Sequence, residues 1–364
     1  MKRLVPVAFA ATLAAALVAV GASSAGRPGN HYTMTPLASD VPGMAPVTDA
    51  NLQNTWGLAR GDSTPWWIAN NGTASTSVYT GSGTRIDIGG QPAQGVPGDP
   101  TGAVFSGITG PPAAFEVGTT ADPKTLGASN FIFDSEDGTI SAWRIGSTAA
   151  LVTVDMSSSG AVFKGLAISN GASGPRLYAT DFANGQVDVF DGGWNPVNTP
   201  GAFVDPTLPK HFAPFGIQTI GDRVFVTYGK HQPGSEDEAH GRGLGIVDVY
   251  DLDGKFLGRV AQHGQLNAPW GLAWAPASFG RFGGDLLVGN FGDGQINAYQ
   301  EIPNGHFEHR GTLHVATHGK LSIDGLWALE FGNTGPNGDP QTLFFTAGID
   351  DEAHGLFGTI TSAG

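Results

Sequence analysis

One hexapeptide occurs twice in the chain, and it concentrates the side chains that can do chemistry. It reads Glu-Asp-Glu-Ala-His-Gly at residues 236–241 and Asp-Asp-Glu-Ala-His-Gly at residues 350–355. A histidine beside clustered carboxylates suits ligation of Zn²⁺, Mn²⁺ or Fe²⁺, or general acid–base catalysis. The candidate metal ligands here are Glu238, His240, Asp351, Glu352 and His354. His240 and His354 are also the candidate catalytic residues, and His231 is a possible third nitrogen ligand. The alternative is a pair of solvated acidic loops, inherited by duplication, in which each histidine caps a neighbouring carbonyl.

A second candidate site is a set of side-chain oxygens that follow corresponding strands. Five of six expected turns carry such an acceptor directly after a strand, namely Asn70, Glu136, Asp181, Asn290 and Asp350. Ca²⁺ takes about six to eight oxygen ligands, so a ring of these side chains predicts a site for calcium or another divalent cation. Tight turns also select Asn, Asp and Gly for backbone reasons, which explains the same residues without a metal.

A repeating unit must position both sets of residues. Six short motifs place a small residue before an aliphatic one, and these small residues are Gly57, Gly102, Gly165, Gly216, Gly271 and Ala328. Consecutive positions differ by 45 to 63 residues (102 − 57 and 165 − 102). Repeats of about 40–50 residues with strand-like content are typical of β-propeller blades.

Within each unit, apolar runs alternate with turn residues. The fifth unit is the clearest example, with an apolar run at 285–290, Gly-Asp-Gly at 292–294 and an alternating segment at 295–299. This pattern predicts a hairpin, and four antiparallel strands make one blade. The sequence therefore predicts an all-β, six-bladed β-propeller with four-stranded antiparallel blades.

The two ends of the repeat predict how the ring closes. The sixth unit supplies only three strands, whereas residues 32–39 precede the first unit and have the composition of a strand. We expect this N-terminal strand to complete the last blade, because proteins rarely leave sheet edges unprotected. The alternative is a frayed N-terminal arm.

Composition excludes several functional classes. The 364 residues include 56 Gly and 24 Pro, and 40% are hydrophobic, which suits many short strands joined by tight turns around a core. A net charge of −14 disfavours nucleic-acid binding. The absence of cysteine excludes disulfides, thiolate metal sites, a cysteine nucleophile and a lipoprotein anchor.

The N-terminus predicts export. Lys2 and Arg3 precede an apolar stretch at 4–20 and then small residues, which is typical of a cleaved signal peptide. We assign residues 1–25 to this signal and residues 26–364 to a single propeller domain. An uncleaved membrane anchor is the alternative. After cleavage we expect a secreted or extracytoplasmic monomer with no membrane span.

Several strings in the chain resemble a known family. "PWGLA", "DLLVGNFGDGQINAY", "APFGIQ", "DGLWAL" and "TAGIDDEAHGLFGTI" are similar to an uncharacterised conserved-hypothetical family of exported bacterial β-propeller proteins. More distantly, the repeat is similar to NHL repeats and to six-bladed propellers of the gluconolactonase and regucalcin type. The resemblance implies the fold and export, and it implies no activity or catalytic residue.

Three functions remain open from the sequence. The first is binding of a small molecule or protein through the loops at one mouth of the channel, with or without a divalent cation. The second is a metal-dependent lactonase or esterase, in which an ion held by Asn70, Asp181, Asn290 or Asp350 polarises a carbonyl. The third is an envelope scaffold. Trp56, Trp270 and Trp327 recur at the start of inner strands, and they either stack on a flat ligand or pack inside the fold.

Overall fold

A computed structural model describes residues 29–110, 113–316 and 319–363. The proposed signal peptide, residues 1–25, lies outside these residues. In the part that the structure describes, no helix has the length and apolar character needed to cross a bilayer. Short strands dominate, and the helical elements are the single 3₁₀ turns Asn71–Thr73, Ser157–Ser159 and Gly280–Phe282.

The strands fall into six consecutive groups. The chain begins with β1 (Tyr32–Ser39) and β2 (Val47–Thr48). Blade one contains β3 (Thr55–Ala59), β4 (Trp66–Asn70), β5 (Ser75–Tyr79) and β6 (Ala93–Gly95). Blade two contains β7 (Pro100–Phe105), a small hairpin of β8 (Glu116–Val117) and β9 (Gly127–Ala128), then β10 (Phe131–Ser135), β11 (Thr139–Trp143) and β12 (Leu151–Asp155). Blade three contains β13 (Phe163–Gly171), β14 (Gly174–Asp181) and β15 (Gln186–Asp191).

The second half of the ring continues in the same order. Blade four contains β16 (Phe212–Ile220), β17 (Arg223–Lys230), β18 (Ile246–Asp251) and β19 (Phe256–Gln262). Blade five contains β20 (Pro269–Trp274), β21 (Leu286–Asn290), β22 (Ile296–Ile302) and β23 (His306–Thr312). Blade six contains β24 (Leu326–Phe331), β25 (Leu343–Ile349) and β26 (His354–Ser362).

The predicted six-bladed propeller is confirmed. Successive strands within each blade pair antiparallel, and each blade begins with an inner strand that packs beside the inner strand of the next blade. In blade three the fourth position is held by an irregular segment, where Pro196 forms a single bridge to Phe190.

The predicted ring closure is also confirmed. Strand β1 pairs antiparallel with β26 from Tyr32↔Ser362 to Ser39↔Leu356, and so supplies the missing fourth strand of blade six. The Ala363 amide donates to the His31 carbonyl at 2.9 Å, which extends the pairing beyond the strands. The first and last blades are therefore joined by hydrogen bonds between the two ends of the described chain.

Close contact between inner strands explains the repeated small residue. A Cβ added at Gly102 would lie 2.3 Å from the Leu166 amide nitrogen of the next blade. The same addition at Gly216 would lie 2.3 Å from the Trp270 carbonyl, and at Gly271 it would lie 2.4 Å from the Trp327 carbonyl. Since backbone cannot move out of the way cheaply, these inner-strand positions exclude a side chain.

An aromatic plug packs together in the centre of the ring. We define it as Trp56, Phe182, Phe215, Trp270, Phe291 and Trp327, which belong to one buried cluster. The Trp327 ring stacks on Trp56 at 3.5 Å and on Phe291 at 3.9 Å between centroids. Packing inside the fold is thus one role of Trp56, Trp270 and Trp327, and Trp56 and Trp327 also line the cavity described next.

Candidate functional site

All six blades contribute to one cavity that lies against the aromatic plug. Its volume is about 340 Å³, and we call it the mouth cavity. Its lining combines five carboxylates, one lysine, one histidine and three aromatic rings with neutral amides. These residues are Asn54, Trp56, Asn71, Glu136, Lys164, Gln232, Asp237, Glu238, His240, Phe291, Trp327, Asp351 and Glu352.

Lys164 is the buried cation of the mouth cavity. Only 2% of its side chain is exposed, and its Nζ lies 2.5 Å from Glu136 Oε1 and 3.8 Å from Asp237 Oδ1. The ammonium group also lies 5.3 Å from the centre of the Trp56 ring. Burial opposes the charge, but the neighbouring carboxylates, led by Glu136, more than offset it and raise the pKa of Lys164. Lys164 therefore stays protonated.

A chain of amide hydrogen bonds orients Glu136. Asn71 Nδ2 donates to Glu136 Oε2 at 2.8 Å, and Asn54 Nδ2 donates to Asn71 Oδ1 at 3.2 Å. The Trp56 indole in turn donates to Asn54 Oδ1 at 2.9 Å. Asn54 has a φ of 45°, a left-handed conformation that Asn tolerates better than most residues. Both Glu136 oxygens are therefore held, one by Asn71 and the other by Lys164.

The loop of blade four brings a carboxylate and an imidazole into the cavity. Glu238 is buried, and its Oε1 lies 3.1 Å from His240 Nε2. The hydrogen bond with Glu238 raises the pKa of His240 above its usual value. His231 pairs with Glu238 through a backbone bridge, but its ring packs on Phe182 at 4.2 Å, outside the cavity lining.

The loop of blade six presents Glu352 on a strained turn. Asp350, Asp351 and Glu352 have φ values of 57°, 50° and 64°, a conformation that side-chain-bearing residues seldom adopt. Burial raises the pKa of Glu352 to about 7, with smaller contributions from Glu238 and Glu136. Its Oε1 is buried and has no hydrogen-bond partner among the described residues. Backbone strain of this kind costs about 1–3 kcal/mol per residue and clusters at functional sites.

The two histidines of the repeated hexapeptide take different positions. His240 lines the mouth cavity, whereas His354 Nδ1 lies 2.7 Å from Asp40 Oδ2. Asp40 also accepts a hydrogen bond from the Gly355 amide at 2.9 Å. His354 thus ties β26 to the residue after β1, and it is absent from the cavity lining, unlike its carboxylate neighbours Asp351 and Glu352.

The structure places the five side chains that predict a cation ring in different surroundings. Of the five, Glu136 alone lines the mouth cavity. Asn70 donates to Ser75 and Ser77, Asp181 accepts from the Val162 and Asn184 amides, Asn290 donates to Gln265 and Asp293, and Asp350 is exposed.

Asn70, Asp181 and Asn290 each make one bond within the local turn, to Ser75, Asn184 and Asp293, which is the usual role of Asn and Asp there. The Oδ1 atoms of Asn70 and Asn290 are buried and have no hydrogen-bond partner among the described residues. Within the described ranges, no group of three or more His, Asp or Glu side chains has the spacing to hold a metal ion. Divalent-cation binding stays a prediction.

Sequence reasoning did not assign a role to Lys164. The residue before the inner-strand small residue is aromatic in four of the six motifs, as in Trp56-Gly57 and Trp270-Gly271, but it is lysine in Lys164-Gly165. A lysine at a position that holds an aromatic residue of the plug in four other blades is the signal that identifies it. The roles of Asn54 and Asn71 carry no comparable signal.

The fold and cavity define the class of protein, a six-bladed β-propeller with an acidic cavity against a plugged channel. No family model matches the chain. It is 31% identical over 336 residues to the uncharacterized protein R648 of Acanthamoeba polyphaga mimivirus, covering 89% of this chain and 78% of that protein. The chain belongs to the same family as that protein. This relative is viral, so the bacterial origin implied by the sequence resemblance is not supported.

Solved structures share the fold at low identity. A streptogramin B lyase is 12% identical with a TM-score of 0.51, covering 91% of this chain and 97% of that one. A calcium-binding regucalcin of Agrobacterium tumefaciens is 13% identical with a TM-score of 0.49, covering 85% and 91%. Regucalcin-type propellers are thus among the structural neighbours, as the distant resemblance implied, and the likeness concerns the fold alone.

Proposed function

We propose that the protein binds a small, positively charged organic molecule in the mouth cavity. The observation that carries this proposal is the charge of the lining, where five carboxylates surround one lysine and one histidine. Lys164 is already paired with Glu136. The one remaining cationic group of the lining, His240, is outnumbered by four carboxylates, those of Asp237, Glu238, Asp351 and Glu352. A ligand that carries one or two positive charges would neutralise this excess.

The shape and the aromatic residues support an organic ligand. A volume of about 340 Å³ falls in the range of about 300–1,000 Å³ that is usual for small-molecule sites. Trp56, Phe291 and Trp327 line one side of the cavity, and aromatic faces attract alkylammonium groups. The Lys164 ammonium above Trp56 is an internal example of that contact.

Isothermal titration calorimetry with cationic, neutral and anionic small molecules tests this proposal. We expect binding of putrescine or choline, and no binding of neutral glucose or anionic succinate. Asp351→Asn should weaken binding, whereas Asp87→Asn, an exposed position on blade one, should leave it unchanged. Preference for glucose or succinate would contradict the proposal. Saturable Ca²⁺ or Mn²⁺ binding that Asp351→Asn abolishes, without amine binding, would replace it with the divalent-cation function.

Acid–base hydrolysis at the same cavity is the second candidate function. It is favoured by Glu352, whose pKa of about 7 and unpartnered Oε1 suit a general acid or base at neutral pH. The test is a panel of lactones and p-nitrophenyl esters. We expect turnover that is lost in Glu352→Gln and kept in the exposed control Glu308→Gln. Absence of turnover across the panel would leave ligand binding as the function.

We further propose that the protein is exported and monomeric. The support for export is the basic, apolar and small-residue pattern of residues 1–25. N-terminal sequencing of the protein recovered outside expressing cells tests it, and a start near residue 26 is expected. Retention of Met1 in a membrane fraction would indicate an anchor, and equilibrium sedimentation tests the monomer.

A further inference from the structure

Blade three leaves the outer edge of strand β15 largely uncovered. Within the described residues, blade three is a three-stranded sheet in which β15 is the last strand, whereas the matching strand β18 of blade four is covered by β19. Strand β18 is buried at Ile246–Tyr250, but most of β15 is half-buried and its first residue is exposed. Exposed strand edges are templates for pairing with another chain.

Strands β15 and β18 have nearly the same sequence, and the same kind of turn follows each of them. Residues 187–191 read Val-Asp-Val-Phe-Asp, and residues 247–251 read Val-Asp-Val-Tyr-Asp. The Asp191 amide donates to the Asn195 carbonyl at 2.9 Å, and the Asp251 amide donates to the Lys255 carbonyl at 3.0 Å. The position of Phe256, which starts β19, is therefore occupied in blade three by Pro196.

Prolines end the fourth strand of blade three almost as soon as it starts. Pro196 bridges Phe190, and the Val197 amide donates to the Val189 carbonyl at 2.7 Å. Pro200 follows three residues later, and proline cannot donate to a ladder. No strand pairs with the outer edge at Gln186, Val187 and Asp188 in the described part of the chain.

Blade four shows which side chain belongs opposite this edge. There Asp248 is paired with Arg259 of β19, and Asp248 Oδ1 lies 2.5 Å from Arg259 Nε. Asp188 holds the equivalent position in blade three. It accepts a hydrogen bond from Gln186 at 2.8 Å, and its Oδ2 is buried and makes no hydrogen bond at ordinary distance in the described residues. Burial and the neighbouring Asp181 carboxylate raise the pKa of Asp188 to about 6, and no described Lys or Arg contributes to that environment.

A groove runs along the uncovered edge. It has a volume of about 410 Å³ and is lined by Met156, residues 185–190 and residues 196–204. Val204, at its far end, is 55% exposed. The groove therefore combines an open strand edge, an unpaired carboxylate and exposed apolar surface.

We propose that the groove beside β15 binds an extended segment of a partner protein, which adds as an antiparallel strand and places an arginine opposite Asp188. The end of strand β19 is the template for its chemistry, because Arg259 lies opposite Asp248, Ala261 opposite Val247 and Gln262 opposite Ile246. Pro196 and Val197 already lie opposite Phe190 and Val189, so the partner segment starts with the arginine and continues with small or polar residues opposite Val187 and Gln186. Backbone pairing supplies affinity in this mode, and the side chains supply specificity.

The test uses a fluorescently labelled peptide with the sequence of residues 259–262, Arg-Val-Ala-Gln, which matches the open part of the edge. We expect saturable binding to the full mature protein by fluorescence anisotropy. Replacing the peptide arginine with citrulline, its neutral isostere, should weaken binding about tenfold, because it removes the charge-assisted hydrogen bond to Asp188. Asp188→Asn should weaken the native peptide to a similar extent and leave the citrulline peptide unaffected.

Two controls separate strand addition from simple charge attraction. Asp222→Asn removes an exposed carboxylate at another turn and should leave binding unchanged. N-methylation of alternate peptide amides should abolish binding if the peptide pairs as a strand. Equal binding of the arginine and citrulline peptides, or insensitivity to N-methylation, would overturn the proposal. Self-association of the protein that Asp188→Asn abolishes would also overturn it, because it would assign the edge to a second copy of the chain.

Discussion

The loops at 236–241 and 350–355 differ at one side chain, yet they behave differently in the structure. The first lies in a connection of fifteen residues (231–245), which lets Glu238 pair with His240 inside the mouth cavity. The second lies mostly in a connection of four residues (350–353), which forces three left-handed residues and leaves Glu352 without a partner for Oε1. The length of the connection, more than the motif, therefore decides which side chains reach the cavity.

The largest expected effect comes from Lys164, the cation that both loops face. Lys164→Met leaves Glu136 with Asn71 but without its ammonium partner, and removing one member of a buried pair costs about 3 kcal/mol of unfolding free energy. Urea denaturation at pH 7 measures this loss. The exposed Lys255→Met is the matched control and should change stability little. Equal stability of the two variants would show that the pair contributes nothing.

The second effect is a pH dependence that belongs to the loop of blade six. The pKa of Glu352 is raised from 4.5 to about 7, so its ionisation destabilises the folded state as the pH rises through that interval. Glu352→Gln removes this loss. Relative to the native protein, the variant should gain about 2 kcal/mol between pH 4.5 and pH 8, with partial exposure reducing the full linkage value.

Urea denaturation across this pH range measures the gain, and Glu308→Gln is the exposed control. A constant difference between the native protein and Glu352→Gln at every pH would contradict the raised pKa. The difference between the loops would then lie in conformation and not in charge.

A third effect concerns ligand affinity. Putrescine should bind more tightly at pH 8 than at pH 5.5, because Glu352 gains its negative charge and His240, whose pKa is raised, loses its positive charge. In Glu352→Gln, affinity at pH 8 should fall about tenfold, which corresponds to about 1.4 kcal/mol. Calorimetric titration at the two pH values measures this. An unchanged affinity in Glu352→Gln would show that Glu352 takes no part in ligand binding.

The smallest effects separate the two histidines. His240→Asn should increase putrescine affinity about threefold at pH 6 by removing a positive charge, and should have little effect at pH 8.5. His354→Asn should leave affinity unchanged and slightly lower the melting temperature. The hydrogen bond and charge of Asp40 raise the pKa of His354. The stabilisation that the His354–Asp40 pair gives the folded state is therefore present below pH 6.5, and it is lost as the pH rises through the folded-state pKa of His354. A change of affinity in His354→Asn would contradict its position outside the cavity.

The sequence predicted the ring well because the ring depends on local, repeated constraints. The small residues from Gly57 to Ala328 and the closing strand at 32–39 follow from close backbone contact and from strand counting. The site was harder to predict, because a turn residue such as Asn290 can satisfy its own turn or face the axis without any change in local pattern. Lys164 could have been found by its exceptional place in the repeat, whereas Asn54 and Asn71 depend on a three-dimensional hydrogen-bond chain.

The seam between β1 and β26 has a consequence for how the protein is made. A ring that is joined by its first and last strands cannot close while His354–Ser362 is still being synthesised. Until then the five earlier blades form an open arc. Pairing across more than 300 positions, such as Tyr32 with Ser362, makes this the slowest kind of contact to form. Until it forms, blades one and six expose the faces that later meet, and the nascent arc is most prone to aggregate at that stage.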